Sequence, residues 1–398
     1  MSPATPQTGT FAEVFRAFLK LGLTSFGGPI AHLGFFRDEL IARRKWLSDS
    51  DYADLVALCQ FLPGPTSSQV GFALGLMRAG WRGALAAFVG FTLPSALMLT
   101  ALALAASRFQ ALPDSGVLQG LKIVAVAVVA QAVLGMARSL CPDAPRAGIA
   151  VAALVVLALM PGAFAMLAVI VLGGAAGLVL CRATPQEPAL AAFPVSRRAG
   201  GAALLAFVAG FVLLPLLAPL GHGLAMIDGF FRAGSLVFGG GHVVLPLLQA
   251  ETVAQGRVAP DLFLAGYGLA QAVPGPLFTF AAWLGAVGDL PPNGIAGAVV
   301  ALLALFAPGF LLLVAAFPFW SALRRQPRAQ NVMQGANAAV VGVLALALYD
   351  PVFTSAIKGK PDFALAVLCF VALTAFRLPP WVVVLAGGLA GVALPVAA

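Results

Sequence analysis

An internal repeat is the feature of this sequence that most limits its possible folds. Residues 18–28 read FLKLGLTSFGG and residues 230–240 read FFRAGSLVFGG, so the two segments align at an offset of 212. A second matched pair, QFLPGP at 60–65 and QAVPGP at 271–276, follows in the same order at an offset of 211. Two matched motifs in one order indicate a duplicated chain, so the fold must contain two related halves.

The repeat predicts four regions along the chain. These are a cytoplasmic tail at 1–10, a first repeat at 11–181, a linker with a connecting transmembrane helix at 182–222, and a second repeat at 223–398. The apolar part of the connecting region, 201–220, has no counterpart in the first half. If each half crosses the membrane an even number of times, one unpaired crossing inverts the second half relative to the first.

The composition places these halves in a membrane. Hydrophobic residues make up 61% of the 398 residues, with only 23 basic and 15 acidic side chains, whereas soluble chains are about 45–50% apolar and about 25% charged. The sequence therefore predicts an all-α polytopic membrane protein with roughly 10–13 membrane segments, and not a soluble enzyme. The four cysteines are scattered without a CxxC pair, so no disulfide framework, metal or cofactor is expected.

The net charge of +8 is interpreted as a topology signal and not as a nucleic-acid footprint. When the basic segment 37–45 is placed in the cytoplasm, the arginines at 78–82 and 138–146 fall on the same side. The second-half loop 250–261 and Asp289 then fall outside. This pattern predicts two inverted-topology repeats in a multi-pass protein, with the N-terminus in the cytoplasm and the C-terminus outside.

The FGG and PGP motifs predict broken or re-entrant helices at matched positions of the two halves. Broken helices occur in membranes only where protein or a water-filled cavity surrounds them. Proline ends one helix and suits the first turn of the next, so each PGP should place a helix N-terminus near the bilayer middle. In the first half this terminus reads Thr66-Ser67-Ser68-Gln69, which would suit a tetrahedral oxyanion. The alternative is a tight turn between packed spans.

Two cations occupy equivalent positions, each six residues before the FGG phenylalanine. Lys20 and Arg232 would favour an anionic substrate if they are buried, and would otherwise extend to the membrane interface. Lys122 is a third candidate with the same alternative. Asp228 is the one acidic residue expected beside the broken helices of the second half, in an ion pair with Arg232.

Two histidines, His32 and His242, each follow a glycine break and are either ligands or proton carriers, or polar packing residues. The sequence contains no GxxxxGK[ST] or HExxH motif, so neither an ATPase nor a metalloenzyme is indicated. The candidate substrate-binding residues are Lys20, Ser25, Phe26, Gly27, Gly28, Gln60, Pro63, Gly64, Pro65, Thr66, Ser67, Ser68, Gln69, Arg232, Phe238, Gly239, Gly240, His242, Gln271, Pro274, Gly275 and Pro276.

Five segments in order resemble the motifs of the chromate ion transporter (CHR) family in its long-chain, two-domain form. They are FGGPIAHLGFFRDELIARRKWL (26–47), CQFLPGPTSSQVGFALGLMRAGWRGALAAFVGFTLPS (59–95), FRAGSLVFGGGHVVLPLLQAE (231–251), AQAVPGPLFTFAAWLGA (270–286) and GANAAVVGVLALALYDPV (335–352). The resemblance covers nearly the whole chain.

The resemblance implies export of chromate across the bacterial plasma membrane, driven by the proton motive force and conferring chromate resistance, with sulfate as the related oxyanion. It also implies antiparallel halves. Side chains alone do not distinguish chromate from sulfate or from another small oxyanion or solute. They also do not distinguish exchange from proton-linked or facilitated transport. A membrane-embedded enzyme is the alternative from another class, disfavoured because no catalytic cluster is visible. Whether the chain forms a homodimer is left open.

Overall fold

The computed structural model describes residues 9–108, 116–160, 163–182, 194–238, 241–320 and 326–393. Within these ranges the chain folds into helices joined by short turns, and no strand is present. The first half comprises α1 (Phe11–Thr24), α2 (Gly28–Phe36, continued by a π-helical segment, Arg37–Arg43), α3 (Asp49–Phe61), α4 (Thr66–Arg108), α5 (Gly116–Leu140), α6 (Ala144–Leu159) and α7 (Ala163–Leu180).

The second half repeats this order after one unpaired helix, α8 (Arg197–Leu217). Its helices are α9 (His222–Ser235), α10 (Val244–Thr252, after a 3-10 turn, Gly241–Val243), α11 (Pro260–Ala272), α12 (Phe280–Val287, after a 3-10 turn, Leu277–Thr279), α13 (Gly294–Ala316), α14 (Pro327–Ala347, continued through Leu348–Phe353 and Thr354–Ala356), α15 (Lys360–Thr374) and α16 (Pro380–Ala393).

Polar residues fix several helix starts where the sequence supplies an N-cap. The Thr10 hydroxyl accepts from the Glu13 N–H at 3.2 Å, and the Ser48 hydroxyl accepts from the Asp51 N–H at 3.1 Å. Ser196 does the same for α8. These bonds satisfy backbone donors that have no partner within a helix, so each cap defines where its helix begins.

Helix α4 consists of two legs, 66–78 and 81–108, that fold back on each other. Gly80 has φ +63° and ψ −157°, a conformation that only glycine adopts readily, and it reverses the chain. Gly75 and Gly83 then pack backbone to backbone across the two legs. In the second half α12 and α13 form the same hairpin, with Gly285 against Gly297.

The segments around the two PGP motifs are re-entrant, as predicted. In the first half the start and end of the segment meet where the Arg78 guanidinium lies 5.4 Å from the centre of the Trp46 ring. At the equivalent point of the second half the Asp289 N–H donates to the Arg257 carbonyl at 3.1 Å. Helices α3 and α11 have 13 residues each, which rise about 20 Å and stop within a hydrocarbon core of about 30 Å.

The FGG segments also form hairpins that return to the side on which they start. The rings of Phe18 in α1 and Phe36 in α2 lie 5.5 Å apart, edge to face, across the first of these hairpins. The Gly9 N–H donates to the Arg78 carbonyl at 2.9 Å, which places the start of α1 beside the end of the PGP segment. Most of the basic segment at 37–45 is a π-helical continuation of α2 over Arg37–Arg43.

The two halves are inverted relative to each other. The second leg of α4 and its repeat equivalent α13 pack side by side in opposite directions. Phe88, near the start of that leg, lies 5.2 Å and 5.1 Å from the rings of Phe306 and Phe310, near the end of α13. Leu104, near the end of the leg, lies beside Gly294 at the start of α13. Equivalent helices that run antiparallel are related by a pseudo-twofold axis across them, which confirms the inverted repeat.

The remaining helices exchange partners between the halves. Helix α5 of the first half packs on α15 and α16 of the second, and α14 packs on α6 and α7. Glycines allow the close approach, with Gly116 against Gly391 and Gly173 against Gly335. Neither half is therefore a separate globular body.

Apolar helices long enough to cross a membrane confirm the polytopic class. Among the described residues five helical stretches meet this criterion, and four shorter apolar helices accompany them. The long stretches are Thr66–Ala106, Gly116–Leu140, Arg197–Leu220, Gly294–Phe319 and Pro327–Ala356; the shorter ones are Ala144–Leu159, Ala165–Leu180, Leu277–Val287 and Pro380–Ala393. The number of complete crossings stays a prediction.

Candidate functional site

The tips of the four hairpins meet between the two halves. The Gly64 N–H donates to the Val237 carbonyl at 2.7 Å, and the Gly275 N–H donates to the Ser25 carbonyl at 2.9 Å. Ser25 and Val237 are repeat-equivalent, as are Gly64 and Gly275, so each PGP tip is bonded to the FGG segment of the other half. The tips themselves are Pro63-Gly64-Pro65 and Pro274-Gly275-Pro276.

Glycine is required at the centre of each PGP tip. Gly64 has φ +128° and Gly275 has φ +109°, a region that side-chain-bearing residues rarely adopt. A Cβ at Gly64 would lie 2.9 Å from the Gly309 Cα, and one at Gly275 would lie 2.7 Å from the Ser95 Oγ. Each tip therefore sits directly against the long helix of the opposite half.

Helix N-termini from both halves converge at this junction, which we call the tip junction. A Cβ at Gly28, where α2 begins, would lie 3.9 Å from the His242 Nε2. A Cβ at Gly241 would lie 3.0 Å from the Pro29 Cγ and 3.8 Å from the Leu277 Cδ2, so the starts of the segments leading into α10 and α12 are adjacent. Such termini carry free N–H groups and a positive dipole end, which favours an anion.

Buried polar side chains, most of them from the first half, line the tip junction. The His32 Nδ1 and the Ser67 Oγ lie 3.3 Å apart, which brings α2 against the start of α4. The Oγ atoms of Ser25 and Ser68 and the Nε2 atoms of His32 and Gln271 are buried without a hydrogen-bond partner among the described residues. Buried polar groups almost always have a partner, so these atoms mark a place for water molecules or a polar ligand.

Gln69 supports the first PGP tip. Its Nε2 donates to the Pro63 carbonyl at 3.0 Å and to the Gly309 carbonyl at 2.9 Å, so this amide connects the tip to α13 of the other half. Thr66 begins the helix and is 9% exposed. Of the four polar residues predicted to hold an oxyanion, Gln69 therefore has a positioning contact, while Ser67 and Ser68 lie at the tip junction.

The predicted cation Lys20 is already paired. Its Nζ donates to the Glu39 Oε2 at 3.0 Å, and the side chain is half-exposed. Arg44 Nε donates to the Glu39 Oε1 at 2.9 Å, and Arg43 also bonds this carboxylate. Glu39 is buried at 8% exposure and is held by these three cations.

The equivalent cation Arg232 is paired in the same way. It bonds Asp228 one turn earlier, as predicted, and its Nε lies 3.8 Å from the Glu251 Oε1. Glu39 and Glu251 are repeat-equivalent at an offset of 212. Each of the two cations therefore has its own carboxylate and is not free to bind an anion as its only partner. Lys122, the third candidate, bonds the Asp261 Oδ1 at 2.9 Å.

The remaining predicted residues differ between the halves. Phe26 lies 6.2 Å from the Trp381 ring and Phe238 is half-buried, so each aromatic packs against protein. Gln271 is buried near the second tip, whereas its equivalent Gln60 is exposed. The polar face of the tip junction is thus asymmetric although the backbone is repeated.

The FGG glycines can be placed in the first half only. Gly27 and Gly28 have φ of +99° and +81°, and they turn the chain from α1 into α2. Gly239 and Gly240 lie outside the described residues. The predicted ligand His242 follows them, with its Nδ1 2.7 Å from the Tyr267 Oη.

Several residues of the site were not singled out from the sequence. Tyr267 and Ser95 lie at or beside the tip junction, and Glu39 and Glu251 neutralise the two cations. His32, which the sequence offered as a ligand, a proton carrier or a packing residue, also lies there. The repeat itself could have found the carboxylates, because both follow their cations by 19 residues. No such signal pointed to Tyr267 or Ser95, whose partners lie far away in the sequence.

Two inverted repeats with broken helices that meet around a buried polar junction define the class of this protein, a polytopic membrane transporter. The chain belongs to the chromate transporter family, because the model of the family described as Chromate transporter matches residues 12–178 and 224–392.

The chain is similar over nearly its whole length to proteins that are named as chromate transporters. It is 28% identical to a chromate transport protein of Pseudomonas aeruginosa, covering 98% of this chain and 93% of that protein. It is 28% identical to a probable chromate transport protein of Synechococcus elongatus (96% and 94% covered) and to a chromate transport protein of Cupriavidus metallidurans (93% and 88%). No solved structure matches the chain.

Proposed function

We propose that this protein is a secondary transporter that exports chromate through the tip junction, driven by the proton motive force. Membership of the chromate transporter family and the names of its relatives support chromate as the substrate. The carrying observation is the convergence of helix N-termini on buried polar atoms that have no partner among the described residues.

The donors at the tip junction suit an oxyanion. The helix N-termini at Gly28 and Thr66 present backbone N–H groups and the positive end of a helix dipole. Hydroxyl, amide and imidazole groups of Ser25, Ser68, His32 and Gln271 can donate the hydrogen bonds that an acceptor-only oxyanion needs. This arrangement needs no unpaired lysine or arginine at the tip junction.

The charge of the substrate supports export as the direction of transport. We propose that the chain lies in the bacterial plasma membrane with its N-terminus in the cytoplasm and its C-terminus outside, and that the repeats span 11–181 and 223–398 around the connecting region 182–222. When a dianion leaves a cell with an inside-negative potential, its free energy falls by about 5 kcal/mol per 100 mV. The membrane potential therefore favours export.

Sulfate is the second candidate substrate, either in exchange with chromate or in its place. It shares the double charge and tetrahedral shape of chromate, and the donors of the tip junction would serve both. Export of chromate would make the cell resistant to chromate, whereas movement of sulfate alone would not.

Everted membrane vesicles test this function. Vesicles that contain the protein should accumulate radiolabelled chromate faster than vesicles from cells without it, and an uncoupler should remove the difference. Excess sulfate should slow the uptake if the two anions share the site. Chromate movement equal to that of empty vesicles would refute the proposal, whereas uptake that an uncoupler leaves unchanged would refute only the energy source.

A further inference from the structure

The two histidines at the tip junction are held in the same way although they are not repeat-equivalent. The His32 Nδ1 lies 3.3 Å from the Ser67 Oγ, and the His242 Nδ1 lies 2.7 Å from the Tyr267 Oη. In each case a hydroxyl fixes the Nδ1 edge of the ring and leaves Nε2 for another group. Neutral imidazole that accepts at Nδ1 carries its proton on Nε2, so both rings can donate from that atom.

Both Nε2 atoms lie at the junction. The His32 Nε2 is buried without a hydrogen-bond partner among the described residues, and the side chain is 1% exposed. The His242 Nε2 lies 3.9 Å from the position of a Cβ at Gly28, which is at the tip of the opposite half. The two rings therefore approach one region from the two halves.

The rings are surrounded by uncharged groups. His32 contacts the Phe91 ring edge to face at 5.3 Å and lies beside the backbone of Ser25. On the side of His242, Tyr267 is the titratable neighbour, and it supplies the hydroxyl that meets Nδ1. The contacts of the two rings within the described residues are with hydroxyl and aromatic groups, and none of them is with a charged side chain. A bound anion would be the counter-charge that makes protonation of these histidines favourable.

We propose, resting on the function proposed above, that His32 and His242 bind the transported oxyanion through Nε2–H and that one of them takes up a proton when the anion binds. The added proton goes to Nδ1, and the hydroxyl of Ser67 or Tyr267 turns from donor to acceptor. A proton from water then accompanies each anion, because binding of one favours binding of the other. A dianion with one proton carries −1, so the membrane potential, which is the electrical part of the proton motive force, still drives it outward against the pH part.

Anion binding as a function of pH tests this pair. The purified full chain is titrated with sulfate and with chromate, and the dissociation constant is measured between pH 6 and pH 9 (about the range in which histidine and its neighbours change protonation). For the wild type, affinity should rise as the pH falls, with a limiting slope of about tenfold per pH unit where one proton is taken up for each anion bound. In the double variant His32→Gln/His242→Gln the change should stay below about twofold per unit.

The chain contains its own matched control. His222 is exposed at the start of α9, so His222→Gln should leave the pH dependence unchanged. The protonation of chromate itself affects all variants equally and cancels in the comparison. If the double variant does not fold, Ser67→Ala and Tyr267→Phe serve instead, since each removes only the Nδ1 partner and should shift the pH at which affinity changes.

The failures of the two proposals are distinguishable. A wild type that binds neither anion overturns the proposed function. A wild type whose affinity is independent of pH overturns the histidine proposal alone. A pH dependence that persists unchanged in the double variant, or in both Ser67→Ala and Tyr267→Phe, overturns it as well.

Discussion

The substitution Gly64→Ala perturbs the contact between a PGP tip and the opposite half. Gly64 has φ +128°, and a Cβ there would lie 2.9 Å from the Gly309 Cα and 2.8 Å from the Gln69 Nε2. The backbone conformation costs about 1–3 kcal/mol for an alanine. Overpacking against a backbone atom adds about 1–3 kcal/mol, so we expect a loss of about 2–6 kcal/mol in total.

The apparent thermal midpoint of the purified protein, measured at one fixed scan rate, checks this expectation. Gly64→Ala should lower the midpoint by several degrees and abolish transport, because the tip must move away from α13. Gly135→Ala is the matched control, since Gly135 is exposed in α5 with no atom within 4 Å of its added Cβ. It should be neutral or slightly stabilising. Equal midpoints for the two variants would refute the packing of the tip against α13.

Three further predictions concern the ion pairs and the topology. Asp261→Asn should destabilise the protein by about 1–3 kcal/mol in thermal unfolding, because it leaves the Lys122 ammonium, whose side chain is only 10% exposed, without its carboxylate. Lys122→Met should cost less, because it removes the buried charge itself. Glu39→Gln should cost about 1–3 kcal/mol in the same assay, since the buried carboxylate holds several cations. In a cysteine-free background, Arg43→Cys and Gln255→Cys, which are repeat-equivalent and surface-accessible, should label with an impermeant maleimide from opposite sides of the membrane.

Each of these predictions has an outcome that contradicts it. If Lys122→Met lowers the stability more than Asp261→Asn does, the Lys122 ammonium is not the buried member of the pair. For Glu39→Gln, the exposed pair of Arg37 and Asp49 gives the control, because Asp49→Asn should have no measurable effect. Labelling of both cysteines from one side would contradict inversion in the membrane.

Most of the fold could be predicted from the internal repeat, because the repeat can be read directly from the sequence without knowledge of the packing. Matched FGG and PGP motifs predicted two hairpins in each half, and the unpaired apolar segment at 201–220 predicted the inversion that the antiparallel contact of Phe88 with Phe310 confirms. The exchange of α5 and α14 between the halves was not predictable. It depends on which apolar surfaces fit each other, and apolar sequences of similar composition do not specify their partners.

Features of the site that depend on the backbone conformation could be predicted from the sequence, and features that depend on side-chain contacts could not. The glycines and prolines at the tips follow from the requirement for helix breaks, and Gly64 and Gly275 occupy their expected place. The roles of Lys20 and Arg232 could not be predicted, because each forms an ion pair with a carboxylate 19 residues later on the returning helix. This contact depends on the folded hairpin and does not follow from the local sequence.

The most direct test of the account is chromate flux into liposomes that contain the purified protein. With an imposed potential, negative on the side of origin, we expect the wild type to move chromate well above the rate of protein-free liposomes, and Gly64→Ala to fall to that background while Gly135→Ala keeps the wild-type rate. Chromate flux at the background rate for the wild type would contradict the account, and so would a Gly64→Ala variant that is folded and fully active.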